Sequence, residues 1–177
     1  MTRNVHYLLG LLCLVSVGGS ISQDDDNAKA ACEAVLCLSS GTRPDACAAS
    51  LSRYFSISLR RWNDTVRARE NFLNLCPIVG RDAAMASLTR AMANGVGRCD
   101  AATLNASLQT GDESASYISN ELPDYCAAYL NNGYVDINDK SPVYLGDPLR
   151  GGYWVERGHF EIEQRAYLAR LNNPISQ

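Results

Sequence analysis

The sequence is poor in histidine and proline, and it has no large excess of charge of either sign. Two histidines and six prolines occur among 177 residues, and 16 basic residues stand against 19 acidic ones. The resulting net charge of −3 gives no electrostatic reason to expect nucleic acid or an anionic membrane as a partner. Because 46% of the residues are hydrophobic, the composition also excludes a disordered, collagen-like or low-complexity protein.

Motifs that carry enzymatic chemistry are also missing. The sequence has no Gly-x-Ser-x-Gly elbow and no glycine-rich phosphate-binding loop, and His159 would have to be the base of any serine triad. Cys32 and Cys37 would point about 140° apart on a helix, which suits bridges to two different neighbours better than one shared zinc ion. We therefore predict no catalytic residues, no metal site and no cofactor.

An export signal opens the sequence. Arg3 is followed by an apolar core that ends at Val17, and small residues then lead to Ser22. This order is typical of a secretory signal peptide, and the apolar core is too short for a comfortable membrane span. We predict that 1–22 is a signal peptide cleaved near Ser22, with an uncleaved anchor as the alternative. Residues 23–177 are then a single exported domain without stable membrane insertion.

The predicted exported domain contains six cysteines: Cys32, Cys37, Cys47, Cys76, Cys99 and Cys126. An even number in an oxidising compartment predicts three disulfides. Cys99 and Cys126 flank a separate helical excursion, so we expect them to pair with each other. Cys37 faces Cys47 across a short turn between the first two helices, and Cys32–Cys76 follows by elimination.

Apolar residues at helical spacing run through most of residues 26–133, and they predict six helices. The predicted starts are Asp24-Asp25-Asp26, Pro44-Asp45, Asp64, Asp82, Asp100 and Pro123. We expect Leu36 to face inward on the first helix and Gly133 to close the sixth. Aromatic and β-branched residues around glycine-rich turns then predict an extended segment or short hairpin within 134–157.

The last predicted element is an amphipathic helix over 160–171, with Tyr167 and Leu168 facing inward. The predicted fold class is therefore mainly α. It is a small helical domain held by disulfides, with an irregular, aromatic-rich C-terminal segment and a final short helix.

Two features could belong to a functional site. Tyr144, Tyr153 and Trp154 form a candidate partner surface, since tyrosine and tryptophan are favoured interface anchors; alternatively, they cover the helical core. Glu113 and Ser114 superficially resemble the Glu-Ser pair of lytic transglycosylases. That pair lies in a predicted polar loop, and no Gly-Leu-Met-Gln-like stretch follows it.

Several stretches resemble one known family. Residues 32–39 (CEAVLCLS), 53–57 (RYFSI), 71–77 (NFLNLCP) and 151–155 (GGYWV) are similar to the TrbM/KikA family of conjugal transfer proteins. The resemblance covers essentially the whole exported domain. It implies a periplasmic protein that is encoded with plasmid transfer genes and serves mating-pair formation, with protein components of the type IV secretion machinery as partners. It brings no catalytic residues.

These observations predict a periplasmic, non-enzymatic accessory protein of plasmid conjugal transfer. One alternative is a peptidoglycan-modifying enzyme of the transfer apparatus, which would need Glu113 or another acid in a substrate cleft. The other is a small-ligand-binding periplasmic protein, in which disulfide-linked helices enclose an apolar tunnel.

Overall fold

The computed structural model describes residues 21–112 and 115–172. The helices are α1 Ile21–Ser39, α2 Ala48–Ser56, α3 Trp62–Leu73, α4 Ala83–Gly95, α5 Ala101–Ser107, α6 Asp124–Leu130 and α7 Phe160–Asn172. The strands are β1 Gln109–Asp112, β2 Ala115–Ile118, β3 Pro142–Leu145 and β4 Tyr153–Glu156. The predicted mainly helical fold is confirmed. Most of the predicted signal peptide and the Glu113-Ser114 pair lie outside the described residues.

Aspartate side chains begin two of the helices as predicted. Asp82 accepts a hydrogen bond from the backbone N–H of Ala84 at 2.8 Å, at the start of α4. Asp100 accepts from the backbone N–H of Thr103 at 2.9 Å and from its hydroxyl at 2.8 Å, at the start of α5. Each carboxylate satisfies a helix N–H group that has no partner within the helix.

The predicted start of α3 is wrong. The helix begins at Trp62 rather than at Asp64, with Arg61 as its N-cap. The physical reason is Thr65, whose Oγ1 accepts a hydrogen bond from the backbone N–H of Leu59 at 2.8 Å and so fixes the preceding loop against the first turn. Asp64 lies within that first turn, where a carboxylate interacts favourably with the helix dipole, and it pairs with Arg67.

The buried face of α1 differs from the predicted one. Ala31, Ala34, Val35 and Leu38 are buried, at the i, i+3, i+4 and i+7 spacing of a helical stripe. Leu36 was expected inward, but 70% of its surface is exposed because it lies about 100° around the helix from Val35. The helix packs on α2 and α3, α3 packs on α4, and α4 packs on α6.

Two buried tyrosines link these helices through hydrogen bonds. Tyr54 of α2 donates to the carbonyl of Met92 in α4 at 2.9 Å, and Tyr129 of α6 donates to the carbonyl of Leu38 in α1 at 2.7 Å. Burial raises the pKa of each tyrosine to about 12. Each ring therefore adds apolar packing to the core while its hydroxyl remains satisfied.

Two antiparallel hairpins follow α5. In the first, Gln109 pairs with Ile118 and Asp112 with Ala115, where the sequence predicted only a polar loop. Hydrophobic patterning does not predict this hairpin, because the residues of β1 are polar or glycine. Gly111 in this strand has a positive φ of 105°. In the second, β3 pairs with β4 inside the segment where a hairpin was expected.

The C-terminal helix packs on the second hairpin through Tyr167. Its ring is buried with Leu145 and Val155, and its hydroxyl accepts a hydrogen bond from the backbone N–H of Asp147 at 3.2 Å. Leu168 was predicted inward, yet it is half exposed because the next residue on a helix points about 100° away. Helix α6 ends at Leu130 rather than at Gly133, which lies in the turn beyond it.

Among the helices of the described ranges, none combines the length and the apolar character that crossing a membrane requires.

Candidate functional site

Three disulfides connect the helical part of the chain. They join Cys32 to Cys76, Cys37 to Cys47 and Cys99 to Cys126, with Cα–Cα distances of 4.8, 5.8 and 5.4 Å. These are the pairs expected from the sequence. The first two tie α1 to the turn after α3 and to the start of α2, and the third ties the α4–α5 turn to α6.

Trp154, one residue of the candidate partner surface, is buried in the core. Only 6% of this side chain is exposed, and its indole N–H donates to the carbonyl of Ser119 at 3.0 Å. The amide of Asn105 forms two hydrogen bonds to the Trp154 backbone, accepting from the N–H at 2.7 Å and donating to the carbonyl at 2.8 Å. Trp154 therefore holds the C-terminal segment on the core and is not available as an anchor for a partner.

Tyr144 and Tyr153 are half-buried and also hold internal contacts. The Tyr144 ring meets Trp154 edge-on at 5.3 Å between centroids, and its hydroxyl donates to the carbonyl of Ile118 at 2.7 Å. The Tyr153 hydroxyl donates to Glu163 at 2.8 Å. Burial is the main cause that raises the pKa of both tyrosines. The aromatic residues thus cover the core, which was the alternative interpretation.

A cleft of about 490 Å³ lies where the helical core meets the C-terminal segment. Its walls come from the α1–α2 loop, the α4–α5 turn, α6 and the segment around β3 and β4. The lining residues are Ser40, Gly41, Arg43, Phe55, Gly95, Val96, Gly97, Cys99, Asp100, Tyr129, Ile137, Lys140 and Glu156. Two disulfides fix these walls, since Cys37–Cys47 spans the α1–α2 loop and Cys99–Cys126 holds the α4–α5 turn on α6.

One wall is built by a short parallel bridge between distant parts of the chain. Ser40 pairs with Asp136, whose N–H donates to the carbonyl of Ser39 at 2.8 Å and whose carbonyl accepts from the N–H of Gly41 at 2.9 Å. A Cβ atom at Gly41 would lie 2.7 Å from the carbonyl oxygen of Ile137. This close approach of two backbones therefore requires glycine.

The opposite wall also depends on small residues. A Cβ atom at Gly95 would lie 3.0 Å from Cβ of Tyr129, so glycine lets α6 approach the end of α4. Gly97 has a φ of 79°, which reverses the chain after the helix and leaves its α-carbon facing Phe55. Both glycines are among the residues that line the cleft.

The charged side chains of the cleft differ in whether they already have a hydrogen-bond or ion-pair partner. Asp100 is occupied by its capping hydrogen bonds, and Glu156 forms an ion pair with Lys140 at 3.3 Å. Arg43 is exposed and forms no ion pair with a carboxylate of the described ranges. The arrangement can therefore bind a polar or anionic group beside Arg43. Of the other lining groups, Cys99 is in a disulfide, and the Ser40 hydroxyl accepts a hydrogen bond from the N–H of Thr42.

Comparison with known proteins assigns the chain to a family. The TrbM family model matches residues 25–167. The chain belongs to the TrbM family. Membership makes it a protein related to conjugal transfer, as the resemblance implies. No curated protein matches the chain, and no solved structure does.

The TrbM match includes the six paired cysteines and every residue that lines the cleft. Sequence reasoning missed Arg43, Lys140 and Glu156 as site residues, because each lies in a polar turn or at a strand end with no motif around it. The usable signal in the sequence was the set of glycines at 41, 95 and 97. In this TrbM protein Gly41 allows two backbones to approach closely and Gly95 allows α6 to approach α4, and both residues line the cleft.

Proposed function

We propose that this TrbM-family protein is a periplasmic, non-enzymatic accessory protein of plasmid conjugal transfer. It acts in mating-pair formation by binding a protein component of the type IV secretion machinery. The observation that carries the proposal is the family match over residues 25–167. Three disulfides support the periplasmic location, because such bonds form and persist in oxidising compartments.

The state of the cleft carboxylates supports binding rather than catalysis. A carboxylate that serves as general acid or nucleophile has to be available to the substrate. Asp100 is held by the start of α5, and Glu156 is held by Lys140. A cleft fixed by disulfides favours recognition, because little ordering of the chain has to occur when a partner binds.

Deletion of the gene from its plasmid tests the function directly. We expect the frequency of plasmid transfer between donor and recipient cells to fall, and a wild-type copy to restore it. A copy carrying Arg43→Glu should restore transfer less well than a copy carrying Arg150→Glu, which changes an exposed arginine outside the cleft. Unchanged transfer after the deletion would contradict the proposal.

The non-enzymatic part of the proposal has its own test. Purified protein is run in a gel that contains peptidoglycan, beside a Glu113→Gln variant. We expect no clearing by either protein. Clearing by the wild type that disappears in the variant would favour the peptidoglycan-modifying alternative.

The volume of the cleft favours a second candidate function, the binding of a small ligand. A cleft of about 490 Å³ is in the range of small-molecule sites. Unlike an apolar tunnel, it carries Arg43 and an ion pair, so a polar ligand suits it better than a lipid. Native mass spectrometry of protein purified from the periplasm tests this candidate. An additional mass on the wild-type protein that is absent from the Arg43→Glu variant would support this candidate. Detection of only the mass of the unliganded protein would count against it.

A further inference from the structure

One stretch of this acidic protein carries an excess of positive charge. Five arginines and a single acidic residue, Asp64, lie between residues 53 and 69, whereas the whole chain carries a net charge of −3. The stretch covers the end of α2, the α2–α3 loop and most of α3. Such an asymmetry gives the surface around this loop a local field opposite in sign to that of the rest of the molecule.

At the centre of this stretch, Trp62 lies close to two guanidinium groups. The Cζ atom of Arg69 lies 5.5 Å from the Trp62 ring centroid, and that of Arg98 lies 4.8 Å from it. Arg69 is 93% buried and donates to the carbonyl of Ile57 at 3.0 Å. Arg98 also stacks on Tyr125, at 3.8 Å from that ring centroid. These contacts fix the indole by cation–π interactions on the scaffold of α3 and the α4–α5 turn.

The fixed indole remains partly accessible. Trp62 is 37% exposed although its Nε1–H donates to the side chain of Asn94 at 3.2 Å. Leu59, three residues earlier in the loop, is 52% exposed. The indole borders a shallow concavity of about 800 Å³, which is lined by Arg61, Trp62, Asn63, Asp64, Val66, Arg67 and Asn94.

Two exposed cations lie at this concavity or next to it, since Arg61 lines it and Arg60 precedes Arg61 in the chain. Arg60 and Arg61 form no ion pair within the described part of the chain, whereas Arg67 pairs with Asp64. We name Leu59, Arg60, Arg61, Trp62 and Arg98 the arginine–tryptophan surface. It combines unneutralised positive charge with a rigid, partly exposed indole, and arginine and tryptophan are the residue types most enriched among interface hot spots.

We propose that the arginine–tryptophan surface binds an acidic segment of a partner polypeptide, which places an apolar side chain against Trp62 and carboxylates beside Arg60 and Arg61. This proposal rests on the proposed function in taking the partner to be a protein. Paired carboxylates match the planar guanidinium groups, and the concavity admits a side chain between them.

The net charge of the molecule favours a short polypeptide over the larger polyanions. Duplex DNA carries about one charge per 1.7 Å, so its field extends far beyond a surface formed by one loop. A protein of net charge −3 is repelled by such a polymer, and by an anionic membrane, wherever the rest of its surface approaches. A short acidic segment contacts the positive surface alone.

Fluorescence anisotropy tests the proposal on the purified, disulfide-bonded protein. The probe is a fluorescein-labelled peptide in which glutamates alternate with leucine and phenylalanine, and the control peptide has lysines in place of the glutamates. The variant Arg60→Glu/Arg61→Glu changes two exposed side chains of the surface. The matched control, Arg150→Glu/Arg157→Glu, makes the same change in net charge at two exposed arginines of the C-terminal segment. Thermal melts verify that both variants fold.

We expect saturable binding of the glutamate peptide, and binding at least about tenfold weaker in Arg60→Glu/Arg61→Glu at low salt. The control variant should stay within about twofold of the wild type, because its charges lie elsewhere. Trp62→Phe should retain part of the affinity. The proposal is overturned by absence of saturable binding, or by equal losses in the two double variants. It is also overturned if duplex DNA or phosphatidylglycerol vesicles bind more tightly than the peptide through the same arginines.

Plasmid transfer separates the two proposals. If deletion of the gene abolishes transfer but the glutamate peptide does not bind, the surface proposal fails and the proposed function stands. If the peptide binds as expected but deletion leaves transfer unchanged, the proposed function fails and the surface remains a binding site.

Discussion

At the scale of single residues, aromatic side chains with polar ends connect parts of the chain that are far apart in sequence. Tyr54, Tyr129 and Tyr144 each bury a ring and donate to a backbone carbonyl on another element. Trp154 does the same through its indole N–H. In each case the ring contributes apolar burial, and the hydrogen bond fixes the position of the ring.

The two most buried of these tyrosines predict a loss of stability at alkaline pH. Tyrosine in the unfolded chain ionises with a pKa of about 10, whereas Tyr54 and Tyr129 have pKa values of about 12 in the folded protein. Below pH 10 neither state releases these protons. Above it the unfolded state releases them first, so the free energy of unfolding falls, by about 2 kcal/mol per tyrosine at pH 12.

Denaturant titrations at increasing alkaline pH, completed before base attacks the disulfides, measure this loss. In the variant Tyr54→Phe, the free energy of unfolding should fall less steeply above pH 10 than in the wild type. Tyr117→Phe is the control, because that ring is partly exposed on a hairpin. Identical pH dependence in the wild type and Tyr54→Phe would contradict the prediction.

Trp154→Ala is expected to destabilise the protein. The substitution leaves a cavity in the core and removes the indole hydrogen bond to Ser119, so we expect a loss of about 3–5 kcal/mol in the free energy of unfolding. Leu149→Ala is the matched control, since Leu149 is one of the most exposed apolar side chains of the same segment. Denaturant unfolding of both variants measures the difference. A Trp154→Ala protein of wild-type stability would mean that the indole is not packed.

At the scale of elements, local signals predict helices better than they predict the first hairpin. Asp82 and Asp100 mark helix starts because an aspartate cap acts within three residues. The start of α3 was misplaced, since it depends on a hydrogen bond from Leu59 to Thr65 across a loop. Hairpin β1–β2 has little apolar alternation, so no local pattern predicts it.

The cleft was not predictable for the same reason. Its charged lining comes from turns that are distant in sequence, and their approach depends on backbone contacts such as the Ser40–Asp136 bridge. The disulfide pairing could be predicted from the sequence, because sequential helices pack as neighbours and bring only a few pairs of cysteines close together. The exposure of the aromatic residues could not be predicted from the sequence, because it depends on which other parts of the chain cover them.

Gly41→Ala tests whether the α1–α2 loop and the C-terminal segment depend on close backbone contact. The new methyl group would lie 2.7 Å from the carbonyl oxygen of Ile137, so the two backbones must separate, at a cost of about 1–3 kcal/mol. Gly133→Ala is the control, because nothing lies within 4 Å of its added Cβ. Thermal melts and limited proteolysis measure the effect. A Gly41→Ala protein as stable and protease-resistant as the control would show that the bridge tolerates separation.

At the scale of the whole molecule, covalent and non-covalent restraints act on different parts of the chain. All three disulfides lie between residues 32 and 126. The segment from β3 to α7 has its own small apolar cluster and is joined to the core by contacts such as those between Asn105 and Trp154. The helical core is therefore held in part by disulfides, which require oxidation, whereas the C-terminal segment depends on burial and hydrogen bonds.

Removal of the disulfides one at a time should rank them by the length of chain that each one closes. The separations are 44 residues for Cys32–Cys76, 27 for Cys99–Cys126 and 10 for Cys37–Cys47. Because a longer closed loop removes more entropy from the unfolded chain, paired alanine substitutions should cost about 4, 3.5 and 2.7 kcal/mol in that order. Denaturant unfolding of the three double variants measures the ranking, with the fully reduced wild type as the reference for their combined effect. If loss of Cys37–Cys47 proved the most costly, the dominant contribution of the bridges would be to the folded state, through the wall of the cleft that this bond supports.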